Sequence, residues 1–195
     1  SIAENVARIR AEMEQAAREA GRDPSTIQLC AATKMNDTAA VREAIRAGVD
    51  CCGENRVQEL TKKQSEDSYR GVPVHFIGHL QPNKVKYIAP FIRLIHAVDS
   101  FKLLCEIDKQ GRKVGRVIDC LLELHLAAEE TKFGFTKAEC LAMLEDGAWR
   151  ELRNVRLTGL MCMASHTDDE VRIRQDFHEA SVFFDEVKTR FFADE

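Results

Sequence analysis

The chain has 195 residues, with 28 Lys and Arg against 32 Asp and Glu for a formal charge of −4, and 45% of it is hydrophobic. No run approaches the ~20 apolar residues of a membrane helix, and the N-terminus has no apolar signal core, so a cytoplasmic single-domain protein is expected. Mild acidity, no dense Lys/Arg stripe and only two Tyr and one Trp exclude the usual footprint of a nucleic-acid binder.

Ile2, Val6, Ile9, Met13, Ala16 and Ala20 fall on one face of a helix that Gly21 and Pro24 end. The apolar run Ile27–Thr33 predicts a strand, and Asn36-Asp37-Thr38 predicts the cap of a helix through Val41, Ala44 and Ile45. The same strand-then-helix pattern recurs from Val49–Cys52, from Val74–Ile77 and from Ile92–Val98. A fifth strand over Val117–Leu126 precedes the capping box Thr136-x-x-Glu139, and a sixth over Val155–Met163 precedes Thr167-x-x-Glu170. Six β/α units with near-continuously apolar strands predict a parallel sheet covered by helices. Periodicity alone leaves open whether that sheet is doubly wound or a (β/α)8 barrel, and no Gly-x-Gly-x-x-Gly follows any strand.

The seven cysteines, at 30, 51, 52, 105, 120, 140 and 162, lie mostly in apolar runs and read as reduced core residues. Paired metal-ligand spacing is missing apart from adjacent Cys51-Cys52, so no metal is expected. His75 and His79 have the spacing of a helical metal pair, but a strand would set them ~13 Å apart.

Lys34 directly follows the first strand, the edge where parallel β/α folds carry their sites, and a lysine there can act as a Schiff-base nucleophile. Glu54-Asn55, His79, Gln81, Asp99 and Ser100 follow later strands at the same edge, although capping accounts for several of them. His125 reads as a core histidine with a satisfied hydrogen bond, the Met161-Cys162-Met163 cluster as core, and Glu129-Glu130-x-Lys132 as a solvated turn.

Ala31-Ala32-Thr33-Lys34, Gly53-Glu54-Asn55-Arg56-Val57-Gln58-Glu59 and above all His75-Phe76-Ile77-Gly78-His79-Leu80-Gln81-Pro82-Asn83-Lys84 resemble the pyridoxal-phosphate-binding proteins of the YggS/PROSC type, the PLP homeostasis proteins. Glu130-Thr131-Lys132-Phe133-Gly134 and Gly159-Leu160-Met161 extend the resemblance in order. It implies a TIM-type (β/α)8 barrel like the N-terminal domain of alanine racemase, of which six units are present. Lys34 would form the internal aldimine with pyridoxal 5′-phosphate; Asn55 would sit beside the cofactor, and Gly78, His79 and Met161 would surround the ring. Arg56, His125 and Ala164-Ser165 depart from the residues common in the family.

A lysine-bound PLP suits either a racemase-like enzyme or a protein that carries and buffers the cofactor in vitamin B6 and amino-acid homeostasis. Racemisation needs an acid/base on each face of the substrate adduct, which the racemases supply as a tyrosine from an additional domain. Here Tyr69, on an expected surface linker, and Tyr87, on an expected helix, offer no obvious second base. A non-catalytic carrier is therefore expected, with PLP-dependent apoenzymes as partners; a cofactor-free lysine aldolase is disfavoured only by the family motifs. The Ser-x-Gly-Met-Ser and Gly-Ser-Thr stretches that the family uses for the phosphate do not occur, so a chain truncated by roughly 30 to 50 residues is expected.

Overall fold

Ser1 opens the first helix, α1 (Ile2–Glu19), with a reciprocal capping box: its hydroxyl accepts the Glu4 N–H while the Glu4 carboxylate accepts from the terminal amine. The computed structural model describes residues 1–126 and 133–194, and these form two units, Ser1–Gly78 and His79–Glu195.

In the first unit, α1 is followed by β1 (Cys30–Ala32), α2 (Thr38–Arg46), β2 (Cys51–Glu54), α3 (Val57–Ser65) and β3 (Val74–Phe76). The strands are parallel, with Cys30 opposite Cys51, Ala32 opposite Gly53, Gly53 opposite His75 and Glu54 opposite Phe76. β1 is shorter than the apolar run that predicts it. Asp23 caps a 3-10 turn that Ile27 closes, and the Asp50 carboxylate takes the Leu29 N–H at 2.6 Å. The second strand is displaced toward the C-terminus, so Glu54 is its last residue and is fully buried instead of lying beyond it at the mouth. Tyr69, expected on a surface linker, is only 3% exposed. Its hydroxyl donates to Glu54, and that bond is what draws the ring inward.

The second unit contains α4 (Val85–Ile88), β4 (Leu94–Val98), α5 (Phe101–Val114), β5 (Ile118–Glu123), α6 (Lys137–Asp146), β6 (Val155–Met161) and α7 (Glu170–Phe191). β4, β5 and β6 are parallel; Ile95 faces Cys120, Ile118 faces Val155 and Glu123 faces Met161. Ile92, Ile95, Leu104, Ile107 and Ile118 have no exposed surface, each such burial contributing about 1.5–3 kcal/mol. The Arg116 guanidinium ties the turn before β4 by donating to the Ala89 and Ile92 carbonyls at 2.5 and 2.8 Å. Thr136 and Glu139 form the expected capping box of α6, whereas α7 is capped by Asp169 and not by Thr167. Among the described residues no helix is long and apolar enough to cross a membrane. The sequence motif Glu129–Lys132 falls outside them.

Candidate functional site

β1 delivers Lys34 to the C-terminal edge of the first unit. Thr33 still pairs with β2, its N–H donating to the Gly53 carbonyl at 3.0 Å, and its side chain is buried. Lys34 then emerges exposed, with its own carbonyl held by the Asn36 amide at 3.0 Å. Met35, 88% exposed, turns the chain with φ of 61°, a left-handed conformation that a side chain rarely adopts and that costs about 1–2 kcal/mol.

A buried charged cluster beneath this turn holds it. The Lys63 ammonium, on α3, donates to the Thr33 carbonyl at 2.7 Å, to Glu54 at 2.9 Å and to Glu59 at 2.9 Å. Glu54 also accepts from the Thr33 hydroxyl at 2.8 Å and the Tyr69 hydroxyl at 2.7 Å. Glu59 accepts the Met35 N–H. The peptide groups on both sides of Lys34 are thus tied to one lysine and its two carboxylates. Burial and then the bond to Glu54 push the Tyr69 phenol well above its usual pKa, while Glu59 is held below the usual carboxylate range, with burial opposing and Lys63 and the Met35 N–H prevailing. Alternation along a strand explains the missed cluster: residues at 54 and 53 face opposite ways, and nothing local marks Lys63 as an inward lysine.

Asn55 follows β2, and Gly78 lies two residues beyond β3; pairing continues past the strand through the Ile77 N–H to the Glu54 carbonyl at 2.9 Å. A Cβ at position 78 would stand 2.7 Å from the Asn55 carbonyl oxygen and 3.0 Å from its Cβ, so only glycine permits this approach. Asn55 Oδ1 is buried and has no hydrogen-bond partner among the described residues. An acceptor so placed costs free energy until a donor reaches it. Lys34, Asn55 and Gly78 therefore share one strand edge of this unit. Asn55 does not cap the next helix; Arg56 takes that position, without a side-chain bond.

In the second unit His79 Nδ1 lies 3.4 Å from Asp99 Oδ2, and its ring stacks on Phe133 at 3.9 Å between centroids. Ser100, another expected edge residue, is occupied as the cap of α5. Met161 ends β6, its carbonyl accepting the Leu124 N–H at 2.8 Å. Met163 is 56% exposed, so the methionine cluster is not all core. His125, expected as a core histidine, has its Nδ1 buried without a hydrogen-bond partner among the described residues. A depression of about 320 Å³ between β6 and α7, lined by Leu157, Gly159, Phe184 and Phe192 among others, contains none of the five predicted residues.

On the face of the first three strands away from Glu54, Cys30 and Cys51 titrate as a pair. The neighbouring Cys30, with His75 assisting and burial opposing, lowers the Cys51 thiol to about 5; Cys51, together with burial, drives the Cys30 thiol up.

Residues 2–193 match the family model of the alanine racemase N-terminal domain. An alanine racemase of Clostridium difficile superposes with a TM-score of 0.66 at 13% identity over 85% of this chain and 44% of its own, which establishes the fold class: an α/β barrel of the TIM type, represented here by six β/α units. Over 86% of its length the chain is 37% identical to the pyridoxal phosphate homeostasis protein of Pseudomonas aeruginosa, spanning 72% of that relative. PipY of Synechococcus elongatus, solved with PLP bound, gives a TM-score of 0.84 at 30% identity, covering 98% of this chain and 84% of its own. The chain belongs to the pyridoxal phosphate homeostasis protein family.

Proposed function

We propose that the protein binds pyridoxal 5′-phosphate covalently through Lys34 and acts as a carrier or buffer of the cofactor in vitamin B6 and amino-acid homeostasis, without turning over amino acids at enzymatic rates. When bound, PLP supplies an aldehyde with which a lysine amine condenses. The observation that carries the reading is the clamp on the two peptide groups flanking Lys34, which fixes where its side chain leaves the strand edge. Ordered backbone around a nucleophile reduces the entropy lost on binding. Asn55 offers an unmatched amide oxygen beside it, and Gly78 keeps that part of the edge free of a side chain. His79 and Met161 join the site on the strength of the sequence resemblance, and PLP-dependent apoenzymes are the proposed recipients.

The carrier role is favoured over a racemase because the tyrosine in the same unit as Lys34 is already committed. Tyr69 is buried and spends its hydroxyl on Glu54, and Tyr87 is half exposed on the single-turn helix α4. Proton exchange on both faces of a substrate requires two positioned groups.

Borohydride reduction of the PLP-loaded protein followed by peptide mapping tests the attachment. The pyridoxyl group is expected on Lys34 and is lost in Lys34→Ala; recovery on Lys84 or Lys132 would overturn the assignment. Deuterium exchange at the amino-acid α-carbon at ~1 s⁻¹ or faster would replace the carrier reading with the enzyme one.

A further inference from the structure

The N-terminal ends of the first three strands carry a second cluster of chemically competent side chains. Cys30, Cys51 and His75 come from β1, β2 and β3, and one donor atom of each lies within 4.8 Å of the others. The register explains the convergence. Cys30 pairs directly with Cys51, and Gly53, which pairs with His75, sits two residues beyond Cys51 on the same face. The Cβ that Gly53 lacks would stand 3.1 Å from Cys30 Sγ, so the sulfur leans into the space the glycine leaves. Cys51 and His75 are buried and Cys30 is part-exposed, which leaves a route from solvent to the cluster.

We propose that Cys30, Cys51 and His75 form a binding site for a borderline-soft divalent ion, Zn²⁺. Two sulfurs and an imidazole are the donor set this ion prefers over the hard cations, which take oxygen. Tetrahedral bonds of about 2.3 Å to sulfur and 2.0 Å to nitrogen hold neighbouring donors about 3.5–3.8 Å apart. Side-chain rotation of roughly an ångström closes the cluster to that span. Charge also balances: two thiolates and Zn²⁺ sum to zero, so no net charge is buried, and each thiol that is protonated beforehand releases its proton to solvent as its sulfur–metal bond forms. The fourth position, on the Cys30 side, is left to water or a small exogenous ligand. Lys34 stands four residues along the chain from Cys30, ~13 Å in extended backbone, so the ion binds independently of whatever Lys34 holds. Bound there, the ion ties the starts of three parallel strands together.

The test uses the whole chain, reduced and stripped with chelator, titrated with Co²⁺ as a spectroscopic stand-in and then with Zn²⁺. One equivalent of Co²⁺ is expected to give tetrahedral visible bands and a near-ultraviolet thiolate charge-transfer band, both displaced by Zn²⁺ and unchanged in Lys34→Ala. Cys30→Ser and Cys51→Ser should each weaken the charge-transfer band, and the double variant should lose it. Should those variants fold poorly, the unaltered protein decides by alkylation: Zn²⁺ is expected to shield the part-exposed Cys30 while Cys105 and Cys162 continue to react. Absence of a charge-transfer band, a band that survives the double variant, or a Cys30 that Zn²⁺ leaves unshielded would each overturn the site. So would isolation of a Cys30–Cys51 disulfide from protein kept in Zn²⁺ without reductant.

Discussion

Replacing Lys63 with methionine removes an ammonium that makes three hydrogen bonds, two of them to carboxylates, while keeping most of the side chain's volume. The Lys63 and Glu54 side chains are 7% and 0% exposed, so solvent screens that pair little; Glu59, at 22%, contributes less. In Lys63→Met, Glu54 keeps the Thr33 and Tyr69 hydroxyls as donors but loses the one cation bonded to it among the described residues, and removing one member of a buried pair costs about 3–5 kcal/mol. At about 2–4 °C per kcal/mol for a chain of this size, Tm should fall by roughly 6–20 °C. Urea unfolding followed by circular dichroism measures the loss directly, and the double variant Lys63→Met/Glu54→Gln, which removes both charges, should recover more than ~1 kcal/mol of it. A loss under ~1 kcal/mol in the single variant, or no recovery in the double, would show that the ammonium is solvated and that the clamp on Lys34 is not electrostatic.

Gly78→Ala should cost about 1–3 kcal/mol and weaken PLP binding, because the new methyl meets Asn55 backbone at 2.7 Å; urea midpoints and equilibrium dialysis check the two effects. Asp176 accepts the Ser165 hydroxyl at 2.7 Å and its N–H at 2.8 Å, which hold its carboxyl below the usual range. A depressed folded-state pKa stabilises the protein above the unfolded value of ~3.9 and ceases to do so as pH falls through the folded value. The urea midpoints of the parent and Asp176→Asn should therefore differ at pH 7 and draw together as the pH falls below the unfolded value.

The strand-helix alternation was legible because most strands overlap an apolar run and several helices carry local start signals, as Asp37 and the Thr136/Glu139 box show. Strand ends were less legible. Leu29 is apolar enough to extend β1, yet its N–H goes to a carboxylate from residue 50, a bond that no local window contains. Lys34 could be found because it directly follows a strand; Asn55 and Gly78 came from the family resemblance, and their close approach belongs to the register of β2 with β3. The buried role of Tyr69 and the meeting of Cys30 with Cys51 and His75 depend on partners in other elements, which is why an analysis of cysteine spacing misses the latter. His125 reads as satisfied in the sequence, and of its two ring nitrogens Nδ1 has no partner among the described residues.

Among the described residues, the bonds made by the Lys63 ammonium and by the Glu54 carboxylate close between Thr33 and Tyr69, inside the first of the two units. Loops that short cost little entropy to close, since the cost grows only with the logarithm of loop length. All the groups concerned are synthesised before the second unit, and folding during synthesis proceeds from the N-terminus. The segment that presents Lys34 is thus assembled early and as one cooperative block, and the amides of Thr33, Met35 and Ile77 should gain protection from hydrogen exchange together during refolding.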